Sequence, residues 1–499
     1  DEAHCISHWG HDFRPEYRRL AELRERFPKS SLHAFPATAT QRVREDIIHQ
    51  LRLRNASTLV GSFDRPNLVY RVVTRVDLDA QVLEVIARHA GEAIIIYCLS
   101  RRDTESLATH LMEQGISAAA YHAGLTPDVR RGVQAAFAAE KLDVVTATVA
   151  FGMGIDRSNV RCVVHACIPQ SIEHYQQETG RAGRDGLPAE CVLFYSPADV
   201  IRWKSLIAKS AQDAERPDEI IAARTELLVH IDRFCNSLQC RHRGLVEHFD
   251  QNFDRQSCEA CDVCLGEVDG FVDATTVAQK ILSCVARVEE RFGLSHVVDV
   301  LVGAATEQVR RCGHERLSTY ALLSDMPRKT LTNYVYQLVN QGLLVRTASE
   351  RPILQLNDTS WEVMRKSRTV KLVQPRTGPV AATAQETDSW AGVNRGLYEC
   401  LRGVRRDTAS ERAVPAFVIF SDNTLRHMAR VRPSTLAAMS CLPGIGRRKL
   451  ADLGEKFLNE IVNYCRHHDL SMDVRGASTE PTARRRKRPN RSSSVQTAF

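Results

Sequence analysis

Five short apolar runs recur between residues 93 and 196 of this 499-residue chain: AIIIYC (93–98), AAAY (118–121), DVVTATV (143–149), RCVVHAC (161–167) and ECVLFYS (190–196). Runs this short, rich in β-branched residues and bounded by stretches of helical spacing, read as strands buried on both faces. Such alternation dictates a largely parallel sheet covered by helices. Thr126 and Pro127 stand as N-cap and first helical residue before DVRRGVQAAF.

Residues 14–63 repeat the pattern. FRPEYRRLAELRERF reads as an amphipathic helix, SLHAF as a short strand, QRVREDIIHQL as a helix and TLVGSF as a strand. The segment looks like half of an α/β sheet without its beginning. After about residue 200 the pattern turns mostly helical, with a Cys-rich insert near 235–264 and a winged-helix pattern over about 272–362. There PRKTLTNYVYQLVNQG puts Leu331, Tyr334, Val335, Leu338 and Val339 on one helical face, and Gly342 ends the helix. LLVR and ILQL flank TASERP as a hairpin. Residues 367–388 read as a linker, 389–471 as a small helical domain and 472–499 as a basic, disordered tail.

Composition narrows the function classes. With 43% hydrophobic and 25% charged residues the chain reads as soluble and globular, and no apolar run approaches a membrane span. The net charge is +7, but residues 475–499 hold seven basic residues against Glu480 alone, so six of those charges sit in the tail. A nucleic-acid site must therefore be argued from local clusters.

The fifteen cysteines point to a reducing, intracellular compartment. Cys98, Cys162 and Cys191 fall in apolar strands and read as core residues. Cys240, Cys258, Cys261 and Cys264, spaced Cys-x17-Cys-x2-Cys-x2-Cys, fit a tetrahedral structural Zn²⁺. Disulfides and an iron–sulfur cluster are the alternatives. Cys235, His242 and His248 read as bystanders.

Loops after parallel strands gather ligands. The loop after DVVTATV is AFGMGID, and the helix after RCVVHAC is expected to run through QQETGRAGRDG, placing Arg181 and Arg184 on one face. The glycine beside each arginine calls for close backbone approach to a ligand or partner. The opening Asp1-Glu2-Ala3-His4 is either a solvated acidic terminus or a carboxylate pair of the kind that holds Mg²⁺ and polarises water in nucleoside triphosphatases.

Taken together, DEAHCISHWGHDFRPEY, AAAYHAGL, ATVAFGMGID and QETGRAGRDGLPAE resemble the motifs of the RecQ family of superfamily 2 DNA helicases. The resemblance implies a multidomain α/β plus α chain: residues 1–63 as the end of a first RecA-like lobe, 64–200 as the second, 201–271 as a zinc-binding module, 272–366 as the winged helix and 389–471 as an HRDC-like domain. It makes Asp1 the Mg²⁺ acid and Glu2 the water-activating base, with His4 linking them to the second lobe. Arg184 becomes an arginine finger with Arg181 and Gln177 beside it, and Gly154 and Asp156 belong to the nucleotide side. Trp9, Phe13 and Arg14 fall in an aromatic-rich loop that senses single-stranded DNA.

Arg328 and Lys329, with Thr332 and Asn333, lie where a recognition helix exposes donors, a solvated charged face being the alternative. Arg447, Arg448 and Lys449 follow a Gly-x-Gly turn that either meets phosphate or simply joins two helices.

The implied activity is ATP-dependent 3′-to-5′ unwinding in recombination, repair and replication, at the nucleoid or in the nucleus. The implied partners are single-stranded and forked DNA, with a single-strand-binding protein as a further candidate and no membrane. A non-catalytic DNA-binding scaffold and an RNA helicase are the competing readings. The chain departs from the family at His8, where Gln is usual, and at Phe35-Pro36, where Leu-Thr is usual. Triphosphate binding also needs a Gly-Lys loop, and that dipeptide occurs nowhere, so the sequence is expected to be a fragment that begins after it.

Overall fold

The computed structural model describes residues 1–7, 10, 14–148, 151, 157–212, 217–270, 273–347, 352–375, 389–412 and 414–474. They fall into two compact units, Asp1–Ser389 with Ala409–Val418, and Trp390–Thr408 with the residues from Ile419 onward.

The first unit is built on a six-stranded parallel sheet of β1 (Leu68–Thr74), β2 (Ala93–Tyr97), β3 (Ala118–Tyr121), β4 (Val144–Ala147), β5 (Val160–His165) and β6 (Ala189–Tyr195). The spatial order is β1-β6-β5-β2-β4-β3. Alternate residues serve two cores: Ile95, Tyr97, Val145 and Val163 pack on one face, and Ile94, Ile96, Val144 and Val164 on the other. Side-chain caps start the covering helices. Ser100, Thr126 and Ser171 accept from the backbone N–H three residues on, and Pro127 is the first residue of its helix.

Four expectations change. Strand β1 was not among the predicted runs, because Arg71 interrupts LVYRVVT; here Arg71 is buried and donates to Glu190 at 2.9 Å and to both oxygens of Glu267 at 2.8 and 2.9 Å. SLHAF and TLVGSF do not form strands. A parallel strand needs a ladder partner on at least one side; among the described residues the first of them is joined to another segment's backbone by the Ala3 N–H, which donates to the Phe35 carbonyl at 3.2 Å. FRPEYRRLAELRERF starts as a 3₁₀ helix, Pro15–Glu22, and becomes α-helical only over Leu23–Arg26. The expected linker is folded in its first part: Val370 and Leu372 are buried in the winged-helix core, and β10 (Val373–Pro375) pairs antiparallel with β7 (Val268–Gly270).

That core gathers the apolar faces of Ala274–Arg287, Leu294–Val302 and Arg328–Asn340. Leu331, Tyr334, Val335 and Leu338 are buried, Val339 is half-buried, and Gly342 takes φ 69° just past the helix end. The hairpin is β8 (Val345–Arg346) against β9 (Leu354–Gln355).

In the second unit Leu397, Leu401, Leu425, Met428 and Ile461 are buried and the Phe420 and Phe457 rings meet edge to face at 4.9 Å. Its longest helix, Arg447–His467, starts at Gly446. No described helix is long and apolar enough to cross a membrane.

Candidate nucleotide cleft and metal centre

A cleft of about 1590 Å³ is lined by Asp1, Glu2 and His4 from one side of the sequence and by Gln177, Arg181 and Arg184 from the other. His4 is buried, and its Nδ1 stands 3.4 Å from the Glu2 Oε2. Glu2 itself sits in the left-handed region at φ 50°, uncommon for a residue with a side chain. The same segment is tied to Phe35 through Ala3, so the FPATAT stretch meets it by a backbone carbonyl. The unusual Phe35-Pro36 pair leaves that bond intact. Thr38 is buried beneath, and Phe35 points out, 63% exposed.

The arginines are not on a helix. Ile172–Thr179 ends at Gly180, and Arg181 and Arg184 belong to the turn that follows. The expectation of one shared helical face is thereby corrected. The cause is backbone geometry: Gly183 and Gly186 adopt φ 55° and 82°, which breaks the helical repeat. A Cβ on Gly183 would approach the Asn67 Nδ2 to 2.5 Å, so the close neighbour the glycine accommodates is a residue of this chain.

Under the turn, the His165 Nε2 and Glu178 Oε2 are 2.7 Å apart and both groups are buried. The Tyr97 ring stacks on His165, and its hydroxyl donates to the Phe151 carbonyl at 3.0 Å. The end of β2 thus holds Phe151, and the end of β5 holds the helix that leads into the arginine-bearing turn.

The sulfurs of Cys240, Cys258, Cys261 and Cys264 all lie within 4.8 Å of one another. Cys240 caps the helix Arg241–His248, while the others come from two successive tight turns. Backbone N–H groups of Ala260 and Cys264 point at the Cys258 and Cys261 sulfurs at 3.4 Å, which favours thiolates. Contacts with Cys258 and Cys261 pull the Cys240 thiol below its ordinary value, and the contact with Cys240 pushes Cys258 up. Four cysteine sulfurs this close together are the donor set a tetrahedral Zn²⁺ takes.

The bystanders stay outside this group: His242 Nδ1 pairs with Asp64 at 2.8 Å, His248 with Glu173 at 2.8 Å, and Cys235 is buried. Cys98, Cys162 and Cys191 are buried too, and burial pushes the Cys98 thiol up to about 12. A second trio, His89, Cys162 and Glu190, also clusters. Arg71 and Arg88 both donate to Glu190 at 2.9 Å, so fixed cations already occupy the place of a metal.

The metal loop docks on the outer edge of β1. The Tyr70 N–H donates to the Ala260 carbonyl at 3.1 Å, the Asp262 N–H to the Tyr70 carbonyl at 2.9 Å, and the Val72 N–H to the Asp262 carboxylate at 2.9 Å. Arg241, fully buried, holds both Asp262 oxygens.

Comparison with known proteins adds the lineage. Family profiles match as a helicase conserved C-terminal domain over residues 77–186, RecQ zinc-binding over 197–265, an RQC domain over 270–380 and an HRDC domain over 394–461. The ATP-dependent DNA helicase RecQ of Pasteurella multocida is 37% identical over 92% of this chain and 72% of that protein. The chain belongs to the RecQ family. The Bacillus subtilis RecQ helicase is 36% identical over 94% of this chain and 77% of its own length, and the Haemophilus influenzae one is 37% identical over 92% and 73%.

Other RecQ-motif residues lie elsewhere or unplaced. Trp9, Phe13, Gly154 and Asp156 lie outside the described residues, as do His8 and residues 475–499 of the tail. Arg14 is exposed, its guanidinium 5.7 Å from the Tyr17 ring centre. Arg328 is half-exposed and already paired with Asp299, whereas Lys329 is exposed. Arg447 and Arg448 are exposed in the first turn of their helix, while Lys449 leans on the Phe420 ring at 5.5 Å, and burial lowers its pKa. Sequence reasoning missed Arg65, which lines the cleft and donates to carbonyls of the arginine-bearing turn. Its only signal was the charged pair Asp64-Arg65 before Pro66.

Proposed function

We propose that this chain supplies the catalytic acids, the arginine finger and the DNA-binding modules of an ATP-dependent 3′-to-5′ DNA helicase acting in recombination, repair and replication. The observation that carries the reading is the single cleft lined by both Asp1-Glu2-Ala3-His4 and the turn of Arg181 and Arg184. In this reading Asp1 holds Mg²⁺, which neutralises phosphate charge when bound. Glu2, oriented by His4, accepts the proton of the attacking water. Arg184 meets the charge that develops on the transferred phosphoryl, with Arg181 and Gln177 beside it. Cys240, Cys258, Cys261 and Cys264 hold a structural Zn²⁺. Trp9, Phe13 and Arg14 contact single-stranded DNA, and Lys329, Arg447 and Arg448 contact duplex phosphates.

Nucleotide turnover also requires a Gly-Lys phosphate loop, which these 499 residues do not contain. The test is phosphate release with and without forked DNA, measured on the 499 residues alone and on the same residues joined in cis to such a loop. DNA-stimulated turnover is expected only in the joined protein, and Arg184→Ala should lower its kcat by roughly 10³-fold. DNA-dependent release by the 499 residues alone would overturn the division. An unchanged kcat in Arg184→Ala would remove the finger.

A further inference from the structure

Five residues, Phe63-Asp64-Arg65-Pro66-Asn67, lead into β1 and touch both the metal module and the arginine-bearing turn. On the metal side the Phe63 ring stacks on Phe249 at 4.2 Å, and its N–H donates to the Gln251 Oε1 at 2.9 Å. The Asp64 carboxylate receives His242 at 2.8 Å and also the Arg255 guanidinium. Burial works to raise the Asp64 pKa, but these two partners hold it below the usual carboxylate range. His242 reaches on to the Leu68 carbonyl at 3.0 Å and the Ala260 carbonyl at 3.3 Å, inside the metal loop.

On the cleft side Arg65 spreads its fork over backbone. Nη2 donates to the Ala182 and Gly183 carbonyls at 3.1 Å each, and Nη1 reaches the Gly180 carbonyl at 3.5 Å. The Asn67 Nδ2 donates to the Gly183 and Leu187 carbonyls, both at 2.9 Å. Glycines at 180, 183 and 186 give this turn more conformational freedom than any other residue type would. Four of its carbonyls are therefore fixed from a segment more than a hundred residues earlier in the chain. Each such bond is directional, so the pair selects one backbone conformation among those the glycines allow.

We propose that Arg65 and Asn67 are positioning residues for Arg181 and Arg184, and that Asp64 couples them to the metal centre. The inference rests on the reading that these arginines meet nucleotide only for its catalytic consequence; the mechanical link stands on the hydrogen bonds. Neither residue touches the reacting atoms in this account. Their side chains set where the arginines' backbone lies.

The test is hydrogen–deuterium exchange of residues 180–187 in the zinc-loaded 499-residue chain, with zinc content and melting temperature measured alongside. Asn67→Asp keeps the size but replaces a donor by an acceptor facing two carbonyls. Arg65→Lys keeps the charge, but one ammonium cannot span three carbonyls. Each is expected to speed exchange of 180–187 by about tenfold while β2 and β5 exchange as before. Removing zinc should speed the turn in the unmodified chain and add nothing in Asp64→Asn. Unchanged exchange in both donor variants would overturn the proposal, as would acceleration only in step with the whole lobe. A zinc effect as large in Asp64→Asn as in the unmodified chain would overturn the coupling. If one donor variant does not fold, the other decides. In a protein joined to a phosphate loop, kcat should fall with little change in KM for ATP. Should the turn loosen while kcat holds, the positioning stands and the nucleotide role of the arginines falls.

Discussion

Gly183 and Asn67 show how one side chain's absence is another's place: a methyl at the glycine would collide with the amide that holds the turn. A glycine in sequence announces that something comes close, but not what. The four-cysteine cluster was legible for the opposite reason, because two overlapping CxxC turns encode its geometry locally. Arg65 and Asn67 were illegible, since donating to carbonyls of residues 180–187 leaves no local pattern. For the metal ligands the expectation is direct. Elemental analysis of purified chain should give one zinc, and Cys261→Ala should lose it and lower the melting temperature by at least about 5 °C. Equal zinc and melting temperature in that variant would rule out the site.

At the scale of elements, β1 and β6 are joined by more than their ladder. Arg71 from β1, Glu190 from β6, Arg88 and His89 at the end of the helix Leu78–Arg88 and Glu267 from the metal module form one largely buried ionic cluster. Burial disfavours charge on both Glu190 and His89. Contacts with His89, Arg71 and Arg88 outweigh it for Glu190, pulling it to about 2 from 4.5. Contacts with Cys162, Glu190 and Glu92 raise His89 well above 6.5. The depressed carboxylate contributes stability above its unfolded value that is lost as pH falls from about 4.5 to 2. The raised imidazole contributes stability that is complete below 6.5 and lost as pH rises through its folded value.

Stability from the cluster should thus be greatest between about pH 4.5 and 6.5. Glu190→Gln should cost about 3–5 kcal/mol in denaturant titrations at pH 6 and flatten the pH profile. A variant with the parent's profile would show that the cluster does not titrate this way. The same cluster explains why β1 was hard to read: an arginine in mid-strand looks like a surface residue until its buried carboxylate partners are known. The other five strands were legible because continuous apolar runs have few alternatives at that length. SLHAF and TLVGSF had the composition of strands but no ladder partner among the described residues, which no local pattern reveals.

For the whole molecule, charge is distributed unevenly, and six of the seven net positive charges fall within residues 475–499. Deleting that segment is expected to flatten the salt dependence of DNA binding while preference for forked over linear duplex persists, since phosphate contacts set the slope and shaped modules the preference. Filter-binding titrations across a salt series would measure both. Loss of preference with an unchanged slope would reverse the assignment. The docking of Ala260 and Asp262 along β1 bears on how the protein must be handled. Strand β1 ends the sheet, and the metal loop occupies outward hydrogen-bonding groups of Tyr70 and Val72 at its middle. Stripping the metal would bare a seven-residue edge, LVYRVVT, of the kind that recruits a second chain. Chelators in a purification buffer would then show up first as turbidity that grows with concentration, before any assay of function registered a change.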